Sequence, residues 1–413
     1  MLTLALTYSE SSGLKILKHS EYVRNLPNDV ITPLHFRRRE LEQLRSTALH
    51  GSALARRKHT RRLYKSALQF VEALSSEPSE YAVFQRRREG IRTWAAENLE
   101  RLKTEPPDES ALEPEEEPDA LQLWRWAETA YLSRNFPPRL AFPGLEGDVT
   151  LHGENWPGEI MGAILIPGLD SINHRRGEKA YWLARRADST ESAATDGQQG
   201  VGEALCNDGD HIVLLLETRY EAEEQIFNNY GAKTNEELLG SYGFTIPGGP
   251  DDAVSLLVGG GGAGDDGKAG ERRPTYWRRD TETIPDALYD SIIEQLGMEA
   301  EEVPEGVSAR EAARMDLECQ LNVCEQLAEM FARKAAALGK LMMGGDDHSE
   351  SGELPIRPEV QVHIKEYLKG EQRTQCSLLD TQAHYTLCLI AGQREICESA
   401  AERMEERLEQ LER

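Results

Sequence analysis

The sequence predicts an α+β protein, and three observations predict it. Short apolar runs of strand type stand at Ile164-Leu-Ile166 and at His211-Ile-Val-Leu-Leu-Leu216, the second reading as a buried strand. Helical spacing dominates from Arg37 to Leu102, as in Tyr64, Ala67, Leu68, Val71 and Leu74. Helical spacing returns near the C-terminus at Leu317, Leu321, Cys324, Ala328, Phe331, Ala335 and Leu338, and again at Leu379, Ala383, Leu387 and Ile390. A chain of 413 residues can bury at least one full core and is long enough for two or three domains.

Taken in order, Met1 to about Asn25 is apolar and helix-like, and Leu26-Pro27 and Pro33 break it. The helical stretch that follows carries basic clusters at Arg37-Arg-Arg39, Arg56-Arg-Lys58 with Arg61-Arg62, and Arg86-Arg-Arg88. With few aromatics among them, they read as solvated helix faces rather than as a nucleic-acid surface. Thr104 to Asp119 is acidic and Pro-rich, the composition of a flexible loop. Leu121 to Phe136 reads as a helix with Leu123, Trp124, Ala127, Ala130 and Tyr131 on one side, ending in Ser133-Arg-Asn-Phe136 and stopped by Pro137-Pro138. A polar loop from Asp188 to Glu203 interrupts the strand region, and Ala253 to Val258 is a further candidate strand. At the end, Met404, Leu408 and Leu411 face one way amid charge, which also allows a coiled-coil partner surface.

Composition narrows the function classes. A formal net charge of −25 argues against general affinity for nucleic acid, which rests on Lys and Arg, and permits a basic protein partner. No stretch approaches the ~20 apolar residues of a membrane span. The first residues lack the basic flank of a signal peptide, so the expected setting is intracellular, cytoplasm or nucleus. The 6 cysteines, Cys206, Cys319, Cys324, Cys376, Cys388 and Cys397, lack the paired spacing of a zinc site and read as reduced, buried helix residues; no metal is expected. Gly262-Ala-Gly-Asp-Asp-Gly-Lys-Ala269 mimics a phosphate-binding loop. Ala269 stands where a hydroxyl is required and Asp265 and Asp266 would repel phosphate, so it reads as a Gly-rich linker.

Two signatures remain. The first is Ile164-Leu-Ile-Pro-Gly-Leu-Asp-Ser-Ile-Asn-His174; the second is Glu224-Gln-Ile-Phe-Asn-Asn-Tyr-Gly-Ala-Lys-Thr-Asn235 with Glu237-Leu-Leu-Gly-Ser-Tyr-Gly-Phe244. In this order they resemble the SET domain of protein methyltransferases, in the branch typified by the Rubisco large-subunit lysine methyltransferase. That resemblance implies a SET-type β fold split by a helical insert and followed by an all-α substrate-binding domain. The implied divisions are an N-terminal SET portion at 1–36, an insert at 37–120, the SET core at 121–258, a linker at 259–274 and a helical domain at 275–413. Tyr367-Leu-Lys-Gly-Glu-Gln-Arg373 is similar to the closing element of that last domain, with Glu371 intervening.

The resemblance further implies S-adenosylmethionine as methyl donor and the lysine side chain of a basic, lysine-presenting protein as acceptor. Residue by residue, Tyr230 matches the catalytic tyrosine, while Tyr242 and Phe244 match the substrate pocket. Arg134, Asp170, Asn173 and His174 match the donor contacts, His174 largely through its backbone. A guanidinium suits a donor carboxylate, and an Asn amide can both donate and accept to a zwitterion. Gly231 is expected to permit a close chain crossing. A SET domain ordinarily opens with strands bearing a Gly-x-Gly segment, whereas Met1 to Glu10 resembles the helix after them. The alternative reading is therefore a catalytically impaired protein-interaction module.

Overall fold

The computed structural model describes residues 20–27, 31–76, 82–104, 119–137, 140, 150–151, 160–161, 163–185, 209–256, 275–343 and 378–413. Met1 to Glu10, most of the acidic loop, the polar loop at 188–203, the Gly-rich linker, the Tyr367 segment, Cys206 and Cys376 lie outside them. The chain divides into two compact units, one of residues 1–28, 64–104 and 118–232, the other of 29–63, 105–117 and 233–413.

In the first unit, α1 (Ser20–Arg24) precedes the second half of the long helix Ala48–Ser76, helix Ala82–Thr104 and helix Asp119–Arg134. Tyr64, Leu68 and Val71 recur one helical turn apart and are buried, with the Tyr64 and Trp124 rings 5.7 Å apart. The helix Asp119–Arg134 departs from the one-sided pattern expected of it. Arg125, Glu128 and Thr129 are as buried as Leu121, Trp124 and Ala127, so the middle of the helix is enclosed on all sides. Its polar side is not a solvent side.

Short strands follow the helix. β1 (Asn135–Phe136) pairs antiparallel with β4 (Ile164–Leu165), and β2 (Thr150–Leu151) pairs antiparallel with β3 (Ile160–Met161). β5 (Asn173–His174) pairs parallel with β8 (Phe227–Asn228). β6 (Ala180–Arg185) and β7 (His211–Leu216) form an antiparallel ribbon. The run in β7 is not the buried strand its composition suggests, since Leu215 is 50% exposed opposite Tyr181 at 46%. Among the described residues the strand paired with it is β6.

In the second unit, a 3₁₀ turn at Pro33–His35 precedes helix Arg38–Glu42 and the first half of Ala48–Ser76. Phe36, Leu41, Leu44, Leu49, Ala53, Leu239, Tyr385 and Leu389 make one core, with Ile31 and Phe244 packed against it. Arg37, Arg38 and Arg39 are exposed, as expected of a solvated face. Arg57 is not: it donates to the carbonyls of Leu34 and Phe36 and ties down the turn between them. The Arg86 cluster lies where side chains are not described.

The larger core gathers Trp277 of β10 (Thr275–Arg278), Val254 and Leu256 of β9 (Ala253–Leu256), and helices Asp286–Leu296, Ala309–Met315, Leu317–Met343 and Leu378–Leu411. β9 and β10 pair antiparallel. The expected stripe on Leu317–Met343 is displaced at its start. Leu317 is 53% exposed as the first residue of its helix, and Cys319, Val323 and Leu327 take the inner face before Phe331 and Leu338. Met404 is buried in this core with Leu408 and Leu411 packed against it, so the coiled-coil surface considered from sequence is intrachain packing. Cys319, Cys324, Cys388 and Cys397 are buried, and burial pushes the Cys397 thiol up to about 12. Among the described residues no helix is long and apolar enough to cross a membrane.

A buried polar joint sits in this unit. Glu236 accepts from Gln393 Nε2 at 2.7 Å and from the Ala48 N–H at 3.2 Å, yet burial raises its carboxyl above the ordinary 4.5. A raised carboxyl binds its proton more tightly folded than unfolded, so stability declines as pH rises from that ordinary value through the raised one. Glu236→Gln is expected to flatten this slope, because the amide oxygen can accept the same bonds without a charge. Urea midpoints across that pH window check it.

Candidate active site

The first signature turns on Asp170. Leu169–Ser171 is a 3₁₀ turn, and the Asp170 carboxylate accepts the Gly168 N–H at 3.0 Å, closing the Pro-Gly break onto itself. The other carboxylate oxygen accepts from Tyr22 Oη at 2.5 Å and from Arg134 Nη1 at 3.3 Å. Arg134 Nη1 also donates to the Asp170 carbonyl at 2.9 Å. The Asp170 side chain is only 2% exposed, against 21% for Arg134. Its oxygens thus point at protein groups, and the arginine is the partner that reaches outward. Burial is the largest cause holding the Tyr22 phenol well above its usual value, followed by its bond to Asp170, so Tyr22 stays a donor. Tyr22 was not singled out from sequence. Only its distant contact reveals it.

The second signature meets the first at β5 and β8. Asn173 lies opposite Phe227 and His174 opposite Asn228, and the Arg175 N–H donates to the Asn228 carbonyl at 2.9 Å. Asn173 presents its amide to the outside while His174 is buried. Past Asn228 the chain turns away. Asn228 Oδ1 accepts the Asn229 N–H at 2.7 Å, His174 Nδ1 accepts the Tyr230 N–H at 3.1 Å, and Asn229 Oδ1 accepts the Gly231 N–H at 2.9 Å. The Tyr230 ring stacks on His174 with centroids 5.0 Å apart and planes 17° from parallel. Its hydroxyl donates to the Ile172 carbonyl at 2.8 Å.

Gly231 serves the turn differently from expectation. A Cβ there would meet nothing within 4 Å, so close approach is not the reason for glycine; the backbone φ of +97° is. Arg175, beside the site, lies over the Phe227 ring at 4.6 Å and is paired with Glu178. That sandwich anchors the first residue of β8.

In the first unit the structure thus assembles Arg134, Asp170, Asn173, His174 and Tyr230, together with Tyr22. Tyr242 and Phe244 belong to the second unit, their rings 6.3 Å apart, on either side of Gly243. Burial raises the Tyr242 phenol above its usual value, which keeps it protonated. Gly243 has φ of +79°, and a Cβ on it would come within 3.0 Å of the Ile31 carbonyl oxygen. Gly243→Ala is therefore expected to cost about 2 kcal/mol or more, measurable by chemical denaturation.

No protein-family profile matches the chain. The SET domain of LSMT bound to lysine and AdoHcy superposes with a TM-score of 0.54 at 14% identity, covering 99% of this chain and 75% of that one. Rubisco LSMT bound to sinefungin and monomethyllysine gives 0.54 at 16% identity, covering 99% of this chain and 74% of that one. The chain has the SET fold of Rubisco LSMT. The chain is also 26% identical over 237 residues to the ribosomal lysine N-methyltransferase set10 of Schizosaccharomyces pombe. That match takes in 57% of this chain and 30% of the relative, so the chain spans under a third of that protein's length.

Proposed function

We propose that this SET protein transfers a methyl group from S-adenosylmethionine to a lysine side chain of a protein, and that ribosomal proteins are its substrate class. The observation that carries the reading is the Tyr230 hydroxyl seated on the Ile172 carbonyl beside Asn173 and His174. The relatives named above supply the direction: structures of the same fold hold lysine and AdoHcy, and the set10 relative is named a ribosomal lysine methyltransferase.

The residues present fit the donor. Arg134 retains guanidinium N–H groups beyond those spent on Asp170, a fork suited to a carboxylate. The exposed Asn173 amide offers both a donor and an acceptor to an amino-acid moiety. His174 contributes main-chain groups from β5. Asp170 acts through Arg134. When bound, S-adenosylmethionine supplies an electrophilic methyl on a cationic sulfonium. The chain's own task is alignment and exclusion of water, which can supply roughly 7 to 11 kcal/mol.

Tyr230 donates its single hydroxyl proton to Ile172, which orients its oxygen as an acceptor for the incoming amine. A free lysine with a pKa of about 10.4 must lose its proton first, at roughly 4.6 kcal/mol near pH 7. Desolvation beside aromatic rings favours that loss. Tyr242 and Phe244 are assigned to those walls. Methylation is accordingly expected to rise with pH until the target amine is neutral.

Calorimetry with S-adenosylhomocysteine tests the reading. Saturable binding by the intact chain supports it, and no detectable heat would favour a non-catalytic interaction protein instead.

A further inference from the structure

We infer that the imidazole of His174 is a positioning residue for Tyr230, acting as a neutral hydrogen-bond acceptor at Nδ1. This rests on the methyltransferase reading and goes beyond the assignment of His174 to the donor through its backbone. The parallel ladder between β5 and β8 ends at His174 opposite Asn228, with the Arg175 N–H bonded to the Asn228 carbonyl as its last rung. From there the chain turns through Asn229, Tyr230 and Gly231, whose N–H groups are taken up in succession by side chains: Asn228 Oδ1, His174 Nδ1 and Asn229 Oδ1. The two asparagines belong to the turn itself and only shape it. His174 is the member that comes from the other segment, so it sets where the turn stands relative to β5.

The same residue also fixes the ring. His174 is 8% exposed and lies nearly parallel to the Tyr230 ring at 5.0 Å, while Ile172, two positions back on the same segment, receives the Tyr230 hydroxyl. Backbone, ring face and phenol of Tyr230 are thus held by one short stretch of chain. An Nδ1 that accepts a bond carries no proton, which makes Nε2 the protonated nitrogen of a neutral ring. The signature specifies histidine because a side chain must offer both a flat face and an acceptor near the Cβ.

The test compares His174→Asn, His174→Gln and His174→Phe in the full chain. The asparagine oxygen falls near the position of Nδ1, the glutamine oxygen near that of Nε2, and phenylalanine keeps the stacking face alone. Hydrogen exchange at the Tyr230 amide is read by NMR on protein carrying isotope-labelled tyrosine, a readout that needs no activity. Methyl transfer from S-adenosylmethionine to RNA-stripped ribosomal proteins is measured alongside. Tyr230 protection is expected to survive in the Asn variant and to disappear in the Gln and Phe variants. In those two, kcat should fall about tenfold or more with the KM for S-adenosylmethionine unchanged, the loss of one aligned bond. Equal losses in Asn and Gln, or full protection in Phe, would overturn the inference. Wild-type protein that shows the protected amide but no transfer would count against the methyltransferase reading and leave the positioning of Tyr230 supported.

Discussion

Tyr230→Phe is expected to lower methyl transfer to ribosomal proteins by about 10²-fold or more while leaving S-adenosylhomocysteine affinity within a few-fold of the parent. The change removes one oxygen. In the folded protein that oxygen donates to Ile172 at 2.8 Å and is the phenol's only polar handle. Without it the ring loses its tether to the first signature and the incoming amine loses an acceptor that would hold its lone pair in line. Stacking against His174 and the Tyr230 N–H bond remain, so the turn is expected to stay folded. Activity equal to the parent in a single-turnover assay would remove Tyr230 from its role.

Asp170→Ala is expected to destabilise the first unit by about 1 to 3 kcal/mol, the cost of leaving its donors unsatisfied around a buried site. The carboxylate serves Tyr22, Arg134 and the Gly168 N–H at once, and its side chain is 2% exposed. Alanine would leave a half-buried phenol, a guanidinium and a backbone donor without their shared acceptor. Donor affinity should drop as well, by about tenfold or more, because Arg134 loses one of the oxygens that orient it. Urea unfolding and S-adenosylhomocysteine calorimetry separate the two effects. A variant as stable as the parent would show that the three bonds are not worth their geometry.

Tyr22→Phe gives a milder form of the same experiment. It removes the hydroxyl that bonds Asp170 and keeps the ring, and about 1 kcal/mol of stability is expected to go with it. The thermal midpoint should move accordingly.

How far the sequence reached depended on whether information was local. Tyr64, Leu68 and Val71 announced a buried helix face because spacing alone puts them on one side. The same rule misread Asp119–Arg134, where Arg125 and Glu128 are enclosed, and it misread β7, where Leu215 is exposed. Periodicity tells which residues share a face, not which faces a fold covers. Leu317 failed for a simpler reason: a helix's first residue has no preceding turn to pack beneath.

By itself, the order of residues determined the two signatures, the helical stretches around them and the type of each group available for chemistry, since these are properties of short segments. Only the tertiary structure decided that Asp170 turns inward to Tyr22 and Arg134, that Gly231 is required for its φ rather than for space, and that His174 bonds the Tyr230 backbone. The contacts of Asp170 and of His174 depend on segments far apart in the chain meeting within about 3 Å, the reach of a hydrogen bond. Spacing along a chain carries no record of that distance.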